Sequence, residues 1–354
     1  MSAFEDAVGA VGDLDDHAGR AAAELHQRLT KPAGALGLLE ITGARLAAIA
    51  REAPPPVPTP AVVAVFAGDH GVVAEGVTPW PQEVTAQMVA NFVAGGAAIN
   101  VLARQTGARV MVIDVGVAAE LASQPGLLGR KVRAGTGNIA VEPAMTRAEA
   151  RRALDVGAEV ATAAIGSGMR CLVTGDMGIG NTTPSAALVA ALTGRRAAEV
   201  TGRGTGVDDA MLGHKIEVVA RAIGRAAPAV DSGDAIAVLT ELGGLEIAAL
   251  TGFVVAGAAA RIPVVVDGVI ALAATCVAAR VVPRAIGFCF AGHRSTEPAA
   301  NIALDHLGLQ PLLDLGMRLG EGTGACLALP LLEASARILR EMATFDSAGV
   351  TEKT

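Results

Sequence analysis

Three glycine-rich turns carry the side chains of this sequence best placed for chemistry. GDMGIGNTT, residues 175–183, joins an apolar run to a helical pattern. Gly178 and Gly180 let the backbone come close to an anion, and Asn181 and Thr182 add donors. The amides of the following helical turn point outward at the positive end of a helix dipole, which is the physics of a phosphate cradle. Asp176 stands at its entrance. TGRGTGVDD, residues 201–209, repeats the device with Gly202 in its loop and Lys215 on the helix that follows. Lys215 is one of only four lysines in the chain, which favours a phosphate contact over a solvated surface residue. RLGEGTGA, residues 318–325, sets Glu321 between Gly320 and Gly322, an uncrowded carboxylate against which a flat ligand could lie. Proton abstraction is the chemistry open to it; a plain surface turn is the alternative. GDHGV, residues 68–72, invites a metal or hydrolase reading, but one Asp beside one His is too few ligands. There is no HxH, no HExxH and no GxSxG elbow. No metal site is expected.

The elements that must position these turns alternate. Short β-branched runs over 61–66, 110–115, 171–174, 263–266 and 285–290 read as buried parallel strands. Helical patterns cover 83–105, 146–165, 183–192, 208–226, 245–261, 268–281 and 297–307. This alternation predicts an α/β fold, a Rossmann-like parallel sheet with flanking helices. Several strands end in Gly or Asp, so their carboxyl ends should gather Asp69, His70, Asp176, Asp267 and His293, where open α/β sheets bind ligands. Helices over 17–29 and 323–342 lack a strand partner. They predict a small helical domain from residues 1–50 and 323–354, beside a large α/β domain of 51–322 that carries the site. APPPVPTP, residues 53–60, reads as the stiff link between them.

Composition excludes several classes. A net charge of −7 without a Lys/Arg run argues against nucleic acid. The most apolar stretch, 247–279, is interrupted by Arg261, Pro263 and Asp267, so no membrane span is expected. The first thirty residues are acidic and lack the apolar core of a signal peptide. The four cysteines form no CxxC and read as buried thiols in a reducing compartment, which predicts a cytoplasmic enzyme.

Nine strings fall in order over nearly the whole chain: KPAGALGLLE (31–40), GDHGVVAEGVTPWP (68–81), VTAQMVANF (84–92), VIDVG (112–116), GNIAVEPAM (137–145), GDMGIGNTTPSAA (175–187), GGLEIAALTG (243–252), PVVVDG (263–268) and MRLGEGTGA (317–325). Together they resemble the nicotinate-nucleotide–dimethylbenzimidazole phosphoribosyltransferases. That resemblance implies transfer of the phosphoribosyl group of nicotinate mononucleotide to 5,6-dimethylbenzimidazole, giving α-ribazole 5′-phosphate and nicotinate for the cobalamin nucleotide loop. It implies Glu321 as general base in a single displacement. Asp176, Gly178, Gly180, Asn181, Thr182, Gly202, Lys215 and Asp267 would bind the phosphate and ribose, and Trp80, Met88, Leu319 and Gly320 would line the benzimidazole pocket. It also implies a homodimer, with the KPAGALG segment near a site at the interface, and no cofactor. The sequence departs from the family where Ala35 replaces a frequent Ser and Asp176 a longer acid. Two rivals stand beside this reading. A non-catalytic nucleotide or azole binder of the same fold is disfavoured by the intact RLGEG. A nicotinamide-dependent oxidoreductase is disfavoured by the missing GxGxxG.

Overall fold

A computed structural model describes residues 2–204 and 206–351. Residues 1 and 352–354 of the expected small domain, and Thr205 of the second glycine-rich loop, lie outside the described residues. Seven strands form one sheet: β1 (Ala61–Gly68), β2 (Arg109–Gly116), β3 (Leu127–Gly129), β4 (Cys171–Met177), β5 (Val264–Val266), β6 (Cys289–His293) and β7 (Pro311–Leu313). Their order is β3-β2-β1-β4-β5-β6-β7, and every neighbouring pair is parallel. The chain works outward from β1 through β2 to β3, then returns to the other side of β1 with β4. This reversal makes the β1–β4 boundary the topological switch point, beside which α/β sheets of this kind bind ligands.

All eight residues of β1 are buried, as expected of a central parallel strand covered on both faces. Its register sets Phe66 beside Ile113 on one side and Asp176 on the other, so Asp176 is fixed at the carboxyl edge by a long ladder. On one face the helix Leu245–Ala259 is buried from Leu245 through Ala258 and packs against Arg147–Gly166. The two helices touch backbone to backbone. A Cβ on Gly157 would stand 1.7 Å from the Ala249 carbonyl oxygen, and one on Gly252 would stand 1.9 Å from that of Leu154.

Two expected elements differ. The helix expected over 83–105 is two helices, Val84–Ala94 and Ala98–Thr106, separated where Gly95 turns left-handed at φ 80°. Residues 84–106 are apolar over a length that could cross a membrane as one helix, but here they make a bend that reaches the site. The strand expected over 285–290 begins only at Cys289, because Pro283 starts a 3₁₀ turn that runs to Phe288. The short strands β3 and β7 and the helices Ala3–Ala10, Leu38–Ala50 and Ala235–Leu242 were not expected. Asp16–Arg28 and Leu38–Ala50 meet the far end of Thr323–Glu341 in a separate apolar cluster of Ala22, Ala47 and Leu339. The near end of Thr323–Glu341 buries Ala325, Cys326, Ala328 and Leu329 in the main core.

Candidate active site

A cleft of about 290 Å³ opens beyond the carboxyl ends of β4, β5 and β6. One wall is apolar, built from Trp80, Val84, Met88, Ile179, Val269 and Leu319. Its floor carries Asp176, His293 and Glu321. A smaller groove of about 40 Å³ continues from it and shares Gly178, Ile179, Asn181, Thr182 and Gly204. Gly180, Arg203 and Lys215 also line that groove, with Val77, Thr78 and Val207. The fold therefore joins a flat apolar chamber with an acid at one end to a small chamber lined by loop backbone and a lysine.

Glu321 is held in an unusual conformation. Gly320, Glu321 and Gly322 are all left-handed, with φ of 84°, 63° and 90°. A non-glycine residue in that region costs about 1–3 kcal/mol and persists only where its surroundings fix it. Here they do. A Cβ on Gly322 would come within 2.7 Å of Val63 Cγ1 and 2.9 Å of the Thr174 carbonyl oxygen, so the turn is pressed against the sheet. Glu321 itself is 6% exposed, and its Oε2 accepts from the Ile99 amide at 3.1 Å. Ile99 lies in the first turn of Ala98–Thr106, where amides lack helical partners and the dipole favours an anion. Burial pushes the Glu321 carboxyl up, the Ile99 hydrogen bond pulls it down, and the charge of Asp267 pushes it up again; the net direction is up. Glu321 thus holds a proton more firmly than an ordinary glutamate, the property a general base needs near neutral pH.

Asp176 accepts from Asn181 Nδ2 at 3.0 Å, while its Oδ1 has no partner among the described residues. Burial first, then the charges of Asp267 and Glu246, push its carboxyl well above the usual range against the pull of Asn181. The shift favours the protonated carboxyl, the form that can donate a hydrogen bond into the cleft.

Lys215 is 1% exposed, with Nζ donating to Thr182 Oγ1 at 2.8 Å and to the Gly202 carbonyl at 3.2 Å. Burial pulls the ammonium down to about 8, opposed by Glu297. Glu297 also fixes the second loop, with Oε1 accepting from the Gly204 amide at 2.8 Å, and Arg318 donates to the Gly204 carbonyl at 2.6 Å.

The residues singled out from sequence separate into three positions. Asp176, Gly178, Asn181, Thr182, Trp80, Met88, Leu319, Gly320 and Glu321 line the cleft, and Gly180 and Lys215 line the groove. Gly202 and Asp267, expected to contact substrate, line neither. The carbonyl of Gly202 faces Lys215, and a Cβ there would meet Glu297 at 2.1 Å. Asp267 is wholly buried behind the turn, with both oxygens taken by the Gly322 and Ala325 amides. Asp69 and His70 lie beneath the floor. Asp69 accepts from the Ala118 amide at 2.8 Å, and His70 Nε2 pairs with Glu246 Oε1 at 2.7 Å. Burial pulls the His70 imidazole down, but the charge and hydrogen bond of Glu246 raise it overall. Sequence reasoning missed Ile99, Ser295, Glu297 and Arg318. Only Arg318 had a local signal, its place in RLGEG.

The family model for phosphoribosyltransferases matches residues 11–350. The chain belongs to that family. Among its relatives is the nicotinate-nucleotide–dimethylbenzimidazole phosphoribosyltransferase of Salinispora tropica, 54% identical, with 99% of this chain and 100% of that protein covered. The enzyme of the same name from Chloroflexus aggregans is 52% identical, covering 100% of this chain and 99% of that one. A crystal structure of CobT from Thermus thermophilus superposes with a TM-score of 0.92 at 50% identity, over 95% of this chain and 100% of the other. The chain is therefore an enzyme of the phosphoribosyltransferase family, with a parallel α/β fold shared with solved members. A family that moves phosphoribosyl groups needs an anion site next to an acceptor site, and the joined groove and cleft have that form.

Proposed function

We propose that this enzyme transfers the phosphoribosyl group of nicotinate mononucleotide to 5,6-dimethylbenzimidazole, forming α-ribazole 5′-phosphate and nicotinate for the nucleotide loop of cobalamin. The observation that carries this reading is one buried, proton-retaining carboxylate, Glu321, at the end of an apolar chamber joined to a lysine-lined groove. The azole would lie against Trp80, Met88, Leu319 and Gly320, and the phosphate against the amides of Gly178 and Gly180, with Asn181, Thr182 and Lys215. Asp176, which lines the cleft and whose protonated form burial favours, would donate to a ribose or carboxylate oxygen.

The chemistry needs little else. One azole nitrogen attacks C1′ with its lone pair, and the C1′–nitrogen bond to nicotinate breaks. Its electron pair returns to the pyridinium ring, so the leaving group requires no acid. The attacking ring then carries a positive charge and a proton on its other nitrogen, and Glu321 takes that proton. Holding azole and ribose face to face supplies much of the acceleration, since well-oriented partners gain effective molarities of about 10⁵ M or more. Chromatography of a mixture with both substrates should show nicotinate and a ribazole phosphate appearing in equal amounts. No release of nicotinate with any benzimidazole would refute the reading.

The working form in this proposal is a cytoplasmic homodimer. The four cysteines are buried free thiols, as a reducing compartment permits. Residues 32–35 are exposed, and nearby Ile41 is 62% exposed, an apolar surface that a partner would cover. Light scattering should give about twice the 35.3 kDa chain mass. A fully active monomer would contradict the dimer.

A further inference from the structure

Asp267 stands at the carboxyl end of β5, wholly buried, and touches the turn that carries Glu321 at two points. Its Oδ2 accepts from the Gly322 amide at 3.1 Å and its Oδ1 from the Ala325 amide at 2.9 Å. These are the cap and third residue of Thr323–Glu341, two donors that would otherwise lack partners. That helix has no side-chain cap of its own, because its cap residue is Gly322. The cap is supplied instead by a strand 55 residues away. The Asp267 amide is anchored in turn, donating to Thr174 Oγ1 at 3.0 Å on β4.

His293, at the end of β6, completes the arrangement. Its Nε2 lies 3.4 Å from Asp267 Oδ1. Its ring lies flat on Gly324, where a Cβ would come within 2.0 Å of Cδ2. His293 lines the cleft, whereas Asp267, in contact with it, does not. Its two nitrogens have no hydrogen-bond partner within the protein among the described residues.

We propose that Asp267 and His293 are positioning residues: Asp267 holds the left-handed turn that presents Glu321, and His293 holds Asp267 and screens its charge from the cleft. This rests on Glu321 being the base. Two consequences separate positioning from plain structural support. The first is geometric: Thr323 Oγ1 bonds the Gly320 carbonyl from within the turn, but among the described residues Asp267 is the only side chain from outside residues 320–325 that hydrogen-bonds them, and its loss would misplace the carboxylate. The second is electrostatic. The charged and titratable groups around the turn and His293 are Asp176 from β4, Asp267 after β5, His293 from β6, Asp314 after β7, Glu246 from Leu245–Ala259, Cys326 from Thr323–Glu341, and Arg318 on the turn's own stretch of chain. Of these, Asp267 is the one whose charge raises the proton affinity of Glu321. Asp267, 3.4 Å away, in turn raises the His293 imidazole against the downward pull of burial.

The test is the pH dependence of kcat in three variants, with nucleotide affinity measured by calorimetry. Asp267→Asn should lower kcat about 10²-fold, the cost of a misplaced reacting group, with less than about threefold change in nucleotide affinity. Its acid limb should move down, because a negative charge beside Glu321 has gone. His293→Gln instead removes the ring beside Asp267, so the Asp267 charge should be felt more strongly at Glu321 and the acid limb should move up. A limb that stays in place in a folded Asp267→Asn, or moves down in His293→Gln, overturns the proposal. If Asp267→Asn does not fold, the direction of the His293→Gln shift decides alone. Glu321→Gln, run alongside, distinguishes the two readings. Retained turnover there removes the base assignment and this proposal with it. Lost turnover there with an unmoved limb in the other variants removes only the positioning role.

Discussion

The Ile99 amide donates to Glu321 Oε2 across 222 residues of sequence, and the donor exists only because a helix is broken. Gly95 ends Val84–Ala94 in a left-handed cap, and the chain restarts three residues later with Ala98–Thr106. The restart creates a second helix N-terminus, and its free amide meets the carboxylate. The contact opposes the effect of burial, so Glu321 is raised without being locked in its neutral form. A base must release as well as accept a proton, and the balance of a dry pocket against one charge-assisted hydrogen bond of about 1.5–3 kcal/mol serves that end.

Glu321→Gln should preserve this contact, because a glutamine oxygen also accepts from Ile99, and so should preserve the fold. It removes the basic lone pair. Steady-state kinetics should show kcat lower by about 10²–10⁴ with little change in KM. In the parent enzyme the activity should fall as pH drops through the raised Glu321 value, an acid limb lying above the ordinary glutamate range. Turnover near the parent level in the glutamine variant would mean that another group takes the azole proton.

Lys215 combines burial, a lowered proton affinity and a place in the groove. Burying an ammonium with only a hydroxyl, a carbonyl and the nearby Glu297 for company is costly to the empty enzyme. Lys215→Met keeps the length and removes the charge. It should therefore raise the melting temperature while weakening nicotinate mononucleotide at least about tenfold, the worth of roughly one charge-assisted hydrogen bond. Affinity for free benzimidazole should not change. Nucleotide binding to the parent enzyme should weaken as pH rises through about 8, where the unliganded lysine loses its charge. Equal weakening of both ligands in calorimetry would assign Lys215 to the scaffold instead.

Much of the sheet was legible in advance. The runs that became β1, β2, β4 and β5 are rich in valine and bounded by Gly or Asp, because central parallel strands are covered on both faces and need no polar alternation. The strands β3 and β7 have three residues each, all partly or fully exposed, and leave no such run. Glu321 and the cradle were legible because glycine marks tight turns in the sequence itself. The partners of Glu321 were not. Ile99 contributes only a backbone amide, which any residue carries, and its availability depends on a helix break that an apolar pattern conceals. Asp267 was noticed for its strand-end position, but only the folded chain turns its carboxylate back into the helix Thr323–Glu341, away from substrate.

His26 offers a test of the helical cluster far from the cleft. It is 2% exposed on Asp16–Arg28, and neither ring nitrogen has a partner among the described residues. A Cβ on Gly43 would stand 3.3 Å from its Nε2, so the two helices close tightly over the ring. Burial pulls the imidazole down, opposed by Glu40 and aided by Lys31. The folded protein therefore binds this proton less readily than the unfolded chain, whose histidine titrates near 6.5. The stability it contributes is present above about pH 6.5 and is lost as pH falls below it. His26→Leu removes that loss, so between about pH 7.5 and 5 the melting temperature should drop further in the parent than in the variant. His70 and His293 are raised and act in the opposite sense, which is why the comparison must be between the two proteins. Parallel curves would show that His26 titrates alike in both states.

The arrangement of carboxylates also fixes the stereochemical outcome. A covalent ribosyl-enzyme route would need a protein nucleophile at C1′ in addition to a base. Asp267 cannot serve, with both oxygens bound to the amides of Gly322 and Ala325. Asp176 lines the cleft, but burial and its acidic neighbours favour its protonated form and one oxygen is held by Asn181, which makes it a poor nucleophile. Glu321 remains, and in the proposed reaction it takes the azole proton. With nicotinate on the β face of C1′, a single displacement must bring the azole in from the opposite face. The product should be the α-riboside phosphate, formed with one inversion. Proton NMR of the purified product reads this directly, from the anomeric coupling and from cross-relaxation between H1′ and the other ribose protons. An α product in the parent enzyme, with turnover retained in Asp176→Asn, is the result expected of a direct displacement. A β-linked product would require two inversions, and Asp176 would then have to be the group that attacks first.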